Sequence, residues 1–161
     1  MKRRILLVDD DLAVLLTLKA VLELHGFDVD TACNCAEAFA RMESGIFHMV
    51  ISDLRMETEE AGLEVIGAAH RQAYDPATAL LTAYPPSGEQ WEAGSENHKP
   101  ADGSHHDEDW SGENSDSLLI KPIGTGDLLR QIEALLVRHA DRQLRRRNSL
   151  NGTNQSDRRA G

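Results

Sequence analysis

The chain has 161 residues and a formal net charge of -10 at pH 7, long enough for one domain that buries its own core and too acidic on balance for general affinity to nucleic acid. Its longest apolar stretches, residues 5–8 and 12–16, fall far short of the roughly 20 residues of a membrane span, and no leader pattern opens it; the expectation is a soluble cytoplasmic protein without membrane contact. The two cysteines, Cys33 and Cys35, match neither a secreted disulfide framework nor zinc-knuckle spacing, so they read as ordinary reduced thiols.

Residues 5–8, Ile-Leu-Leu-Val, form a short continuous apolar run that ends at Asp9. That is the pattern of a strand buried on both faces of a parallel sheet. Leu12, Leu15, Leu16, Leu18, Val21, Leu22 and Leu24 then recur at helical spacing up to His25-Gly26, where Gly26 suits the position just past a helix end. Asp11 reads as a first-turn acid favoured by the helix dipole. Residues 27–31 alternate as a short strand, and Asn34 can cap a helix carrying Ala36, Ala38, Phe39 and Met42. Residues 47–51 make a third apolar run, leading to Asp53, and Leu63, Val65, Ile66 and Ala69 sit on a helix that follows Gly62. A fourth strand over residues 77–81 ends at Thr82, and a fifth over 118–120 ends at Lys121. The last helix starts near Thr125 and runs through Leu128, Leu129, Ile132, Leu135, Leu136 and Val137.

Strands alternating with helices predict an α/β fold, a doubly wound five-stranded parallel sheet built from right-handed crossovers. Ligands of such sheets sit beyond the carboxyl ends of the strands. Asp9 and Asp10, Asp53, Thr82 and Lys121 all fall there. Clustered carboxylates repel one another and call for a cation. Oxygen ligands favour Mg²⁺, which takes one or two carboxylates plus a phosphate oxygen. A carboxylate can attack phosphorus to give an aspartyl phosphate, while a metal, an ammonium and a hydroxyl offset charge on the phosphoryl oxygens.

The segments ILLVDDD, VISDLRM, AGLEVI, LLTAY and LLIKPI stand in the order and approximate spacing of the response regulator receiver family, which the chain resembles over residues 3–84 and 117–139. The resemblance implies the flavodoxin-like strand order 2-1-3-4-5 and a phosphoacceptor of two-component signalling, not an enzyme in the ordinary sense. Asp53 would be the acceptor. Asp9 and Asp10 would bind Mg²⁺ with Asp53, the backbone carbonyl of Arg55 would be a further ligand, Thr82 the switch hydroxyl and Lys121 the phosphate partner, followed by a cis bond to Pro122. The implied partners are a sensor histidine kinase or phosphotransfer protein and a downstream protein.

Residues 85–117 depart from that pattern. Pro85-Pro86 opens a Gly-, Ser- and acid-rich stretch whose low hydrophobicity predicts an atypical, disordered acidic insertion where the family places a fourth helix. Two other readings are a metal site at His98, His105 and His106, and a pair of compensating frameshifts. Loss of that helix would bare an apolar patch and open a route to a homodimer. Leu118 stands where the family often has an aromatic switch residue, and Glu57 where it commonly has proline. The receiver is thus expected over residues 1–141, followed by an Arg-rich flexible tail over 142–161 with no direct DNA contact, as a stand-alone module. A phosphorylation-independent interaction module and a Mg²⁺-dependent aspartyl phosphohydrolase are the competing functions.

Overall fold

The computed structural model describes residues 1–83, 117–121 and 123–156, with side chains to residue 150. The expectations for the acidic stretch, including its histidines and the absent fourth helix, and for the Lys121–Pro122 bond lie outside the described residues.

The elements run β1 (Arg4–Val8), α1 (Leu12–Leu24), β2 (Asp28–Ala32), α2 (Cys35–Ser44), β3 (Met49–Asp53), α3 (Ala61–His70), β4 (Ala77–Thr82), β5 (Leu118–Ile120) and α4 (Thr125–Ser156). The five strands form one parallel sheet in the order β2-β1-β3-β4-β5, the flavodoxin-like order that the resemblance implies. The register pairs Ile5 with both Val29 and Met49, Asp53 with Leu81, and Thr82 with Ile120. This brings the carboxyl ends of β1, β3, β4 and β5 to one edge.

The chain separates into two units, Met1–Ile123 and Gly124–Gly161. In the first, strand alternation sends Leu6, Val8 and Val50 to one face of the sheet. There they pack with Ala38 and Met42 of α2 and Val65, Ala68 and Ala69 of α3. Ile5, Leu7, Met49 and Ile51 are buried as well, as expected of strands covered on both faces. On α1 only Leu15 and Leu22 are fully buried, whereas Leu12, Leu16 and Leu24 are exposed at 59%, 57% and 84%. A helix lying on a sheet buries a single stripe, and this helix carries more leucines than one stripe holds.

Local capping follows the residue chemistry. The Asp11 carboxylate accepts from the N–H groups of Ala13 and Val14, making it the N-cap of α1, and Asn34 accepts from Glu37 N–H at 2.8 Å at the head of α2. Gly26 closes α1 with φ +88°, a conformation that favours glycine.

In the second unit, α4 carries buried Leu128, Ile132, Leu135 and Leu136, at the predicted helical spacing. It continues past Val137 and through the Arg-rich segment set apart above as a tail, as far as Ser156. Arginine, glutamine and leucine are good helix formers, and local side-chain bonds such as His139 with Gln143 and Ser149 Oγ to Arg145 O line this stretch.

Candidate functional site

Asp9 follows β1 directly and is 3% exposed. Its Oδ1 accepts from Asp11 N–H at 2.9 Å, and its main-chain N–H donates to Ala32 O, so the first bond orients the carboxylate and the second ties the Asp9 backbone to the end of β2. Asp10 next to it is exposed. Asp53 ends β3 and is 9% exposed. One carboxylate oxygen from each of Asp9, Asp10 and Asp53 lies within 4.8 Å of the others. The three acids named from the sequence therefore converge, although two come from one strand end and the third lies more than forty residues along the chain.

Lys121 completes the cluster from the end of β5. Its Nζ donates to Asp9 Oδ2 at 2.7 Å and to Asp53 Oδ1 at 3.3 Å. Three carboxylates against this ammonium leave an excess of negative charge and a set of hard oxygen donors, which fits a divalent cation such as Mg²⁺. Burial raises the Asp53 carboxyl above the ordinary aspartate range, with Asp9 and Asp10 adding to the rise and Lys121 opposing it. For Lys121, burial disfavours the ammonium, but the hydrogen bond and charge of Asp9 and the charge of Asp53 outweigh it, so its pKa is raised.

Thr82 is the last residue of β4, 2% exposed, and its carbonyl accepts from Lys121 N–H at 2.7 Å. It thus stands on the strand between Asp53 and Lys121. Arg55 lies in the loop of residues 54–60 with an exposed side chain.

Two residues of this region escape a reading of local pattern. Gly62, treated above as the residue before a helix, lies inside the first turn of α3. Its N–H donates to Leu54 O at 3.0 Å, and an added Cβ would meet the carbonyl oxygen of Asp53 and come within 2.7 Å of Leu54 Cα. Glycine inside an otherwise helical apolar pattern is a signal of close backbone approach, and the approach here is to the backbone of Asp53. Glu57 is the other. Its Oε1 accepts from Cys35 N–H at 2.9 Å, and its Oε2 accepts from the Cys35 thiol, so the loop after Asp53 is clasped to the head of α2. A bond spanning twenty-two residues leaves no mark on local sequence.

The description "Response regulator receiver domain" belongs to a family model that matches residues 5–93. The alginate biosynthesis transcriptional regulatory protein AlgB of Pseudomonas syringae is 38% identical over 81 residues, covering 50% of this chain and 18% of AlgB. The transcriptional regulatory protein PrrA of Mycobacterium leprae is 30% identical over 135 residues, covering 84% of this chain and 50% of PrrA. The matched part of the chain thus spans about a fifth and a half of these relatives. Among solved structures, the response regulator TrrA of Thermotoga maritima, in complex with Mg²⁺-BeF, is similar with a TM-score of 0.61 at 31% identity, over 83% of this chain and 98% of that one. The same regulator has been solved in complex with the histidine kinase ThkA.

Proposed function

This chain belongs to the response regulator receiver domain family, and from that premise we propose that Asp53 accepts a phosphoryl group from a phosphohistidine of a sensor kinase or phosphotransfer protein. Asp9, Asp10, Asp53 and the backbone carbonyl of Arg55 would hold Mg²⁺. The ion would supply charge neutralisation for the phosphoryl oxygens. The observation that carries this reading is the convergence of three carboxylates within 4.8 Å of one another, one of which, Asp53, also meets a lysine ammonium at 3.3 Å.

The chain's own residues then divide the work. An Asp53 carboxylate oxygen attacks phosphorus in line with the donor's P–N bond. That bond breaks, its electron pair passes to the imidazole nitrogen, which takes up a proton, and Asp53 is left as an acyl phosphate. Lys121 exchanges its contact with Asp53 Oδ1 for a phosphoryl oxygen, and the Thr82 hydroxyl donates to another. Contacts that exist in one state and not the other bias a two-state equilibrium, which alters affinity for a downstream protein.

Incubation with acetyl phosphate and Mg²⁺ tests the assignment by intact mass. Addition of one phosphoryl group, stable in acid, labile in base, abolished by EDTA and absent from Asp53→Asn, is the expected result. Labelling that persists in Asp53→Asn rejects the site. Steady turnover of a phosphate ester would instead support a phosphohydrolase, and partner binding indifferent to labelling a phosphorylation-independent module.

A further inference from the structure

We propose that Glu57 is a positioning residue for the divalent cation: by clasping the loop after Asp53 to the head of α2, it fixes the Arg55 carbonyl and sets the affinity for Mg²⁺ relative to Ca²⁺. Its role rests on the ligand set proposed above, as the group that holds one of those ligands in place. The loop of residues 54–60 is secured at its start by main chain. Leu54 N–H donates to Leu81 O of β4, and Leu54 O accepts from Gly62 N–H, each at 3.0 Å. Arg55 follows, with an exposed side chain. Met56 N–H then bonds within the loop, to Thr58 O at 3.1 Å, and its side chain packs against the core cluster that α2 and α3 share.

The clasp has a physical cause in α2. The N–H groups in the first turn of a helix have no partner inside it. At the head of α2, Asn34 takes up Glu37 N–H at 2.8 Å and Glu57 Oε1 takes up Cys35 N–H at 2.9 Å, where the helix dipole favours a carboxylate. The Cys35 thiol lies 3.7 Å from Glu57 Oε2 and 3.4 Å from Ala61 O, so this one residue joins the middle of the loop and the first residue of α3 to α2. Arg55 is thereby bracketed: main-chain bonds hold Leu54 before it, and the clasp holds Glu57 after it. Without the clasp, the Leu54 bonds persist while the peptide carrying the Arg55 carbonyl gains freedom to rotate.

The choice of ion separates positioning from charge. Mg²⁺ demands near-ideal octahedral geometry, whereas Ca²⁺ accepts irregular shells of variable ligand number. A loosened carbonyl therefore weakens Mg²⁺ more than Ca²⁺. Loss of a negative charge, by contrast, weakens both divalent ions alike. Glu57 is exposed, so its hydrogen bonds add little to the stability of the fold, and metal affinity and metal-free stability respond separately to its removal.

Amide chemical shifts of the full chain, titrated with Mg²⁺ and separately with Ca²⁺, read both affinities and the response of Arg55 and Met56. Glu57→Ala is expected to weaken Mg²⁺ about tenfold, the low end of what loss of an outer-sphere partner does to metal affinity, and Ca²⁺ by less than about twofold. Glu57→Gln, whose amide oxygen still accepts from Cys35 N–H, and Glu59→Ala, which removes an exposed acid of the same loop, stay within about twofold of the parent for Mg²⁺. Melting of Glu57→Ala in EDTA stays within about 2 °C of the parent. Equal Mg²⁺ affinity of Glu57→Ala and parent, equal loss for both ions, a loss in Glu57→Gln that matches Glu57→Ala, or a metal-free melting temperature that falls in step each overturns the proposal. A parent that binds no Mg²⁺ removes the ligand set itself and this role with it, whereas binding that is indifferent to Glu57 removes this role alone.

Discussion

Lys121 is held more closely by Asp9 than by Asp53: its Nζ lies 2.7 Å from Asp9 Oδ2 and 3.3 Å from Asp53 Oδ1. The ammonium is thus anchored on the acid that follows β1 and reaches toward the acid that ends β3, a position from which it can leave Asp53 without leaving the site. Removing it strands two buried carboxylates. Lys121→Met is expected to destabilise the fold by about 2–3 kcal/mol in denaturant titrations, and Mg²⁺ should raise the melting temperature of the variant more than that of the parent. Equal stability of the two proteins in EDTA would show that the pair contributes nothing.

The same lysine gives a pH dependence on the alkaline side. Because its pKa is raised in the folded state by Asp9 and Asp53 against the opposing effect of burial, its contribution is full below the ordinary lysine value and is lost as pH rises through the folded one. Stability should decline above that ordinary value, and the decline should be shallower in Lys121→Met. Thermal melts across the alkaline range measure both slopes.

Asp53 behaves in the opposite sense from a usual surface aspartate. Burial foremost, with Asp9 and Asp10, raises its pKa despite Lys121, so stability is favoured with the carboxyl neutral and falls as pH rises through the folded value from the ordinary aspartate range. Asp53→Asn removes that penalty. In EDTA at pH 7 the variant should melt about 2–4 °C higher, the shift that roughly 1 kcal/mol gives at this chain length, and the gap should close in acid. A variant that melts lower at pH 7 would mean that the bond to Lys121 outweighs burial.

Gly62 packs against the backbone of Asp53, the proposed acceptor. An alanine there would have its Cβ against the carbonyl of Asp53 and 2.7 Å from Leu54 Cα, and backbone cannot yield as a side-chain end can. Gly62→Ala should cost about 3 kcal/mol and slow phosphorylation of Asp53, since the start of α3 must move away from it. Gly67→Ala is the control, where among the described residues the added Cβ meets the Arg71 guanidinium at 3.5 Å. Similar losses from both substitutions would rule out a special role for Gly62.

The Glu57 clasp can be read through Cys35, whose thiol pKa is raised to about 11 by burial first, then by the charges of Glu57 and Glu64 and the hydrogen bond to Glu57. In a Cys33→Ser background, Glu57→Ala should accelerate alkylation of Cys35 at pH 8 severalfold, because one charge and one hydrogen bond that disfavour the thiolate are gone. An unchanged rate would show that burial by itself accounts for the shift.

Most of the architecture could be read from the chain. The apolar runs ending at Asp9, Asp53, Thr82 and Lys121 mark buried parallel strands whose polar termini share an edge, and β4 and β5 reach Thr82 and Ile120 as predicted. Capping by Asn34 and closure at Gly26 were legible too, because each depends on residues within one turn. The extent of α4 was not. Its apolar spacing stops near Val137, but helix propensity and local bonds carry it on to Ser156.

What the sequence by itself determined is the set of chemical groups at the strand ends and the alternation that orders strands and helices, since both follow from local periodicity and residue type. Tertiary structure alone decided the distances: that Lys121 sits nearer Asp9 than Asp53, that Glu57 reaches Cys35, and that Gly62 presses on the backbone of Asp53. Those relationships join residues far apart in the chain, and their geometry is set by how whole elements pack, to which short-range pattern is blind.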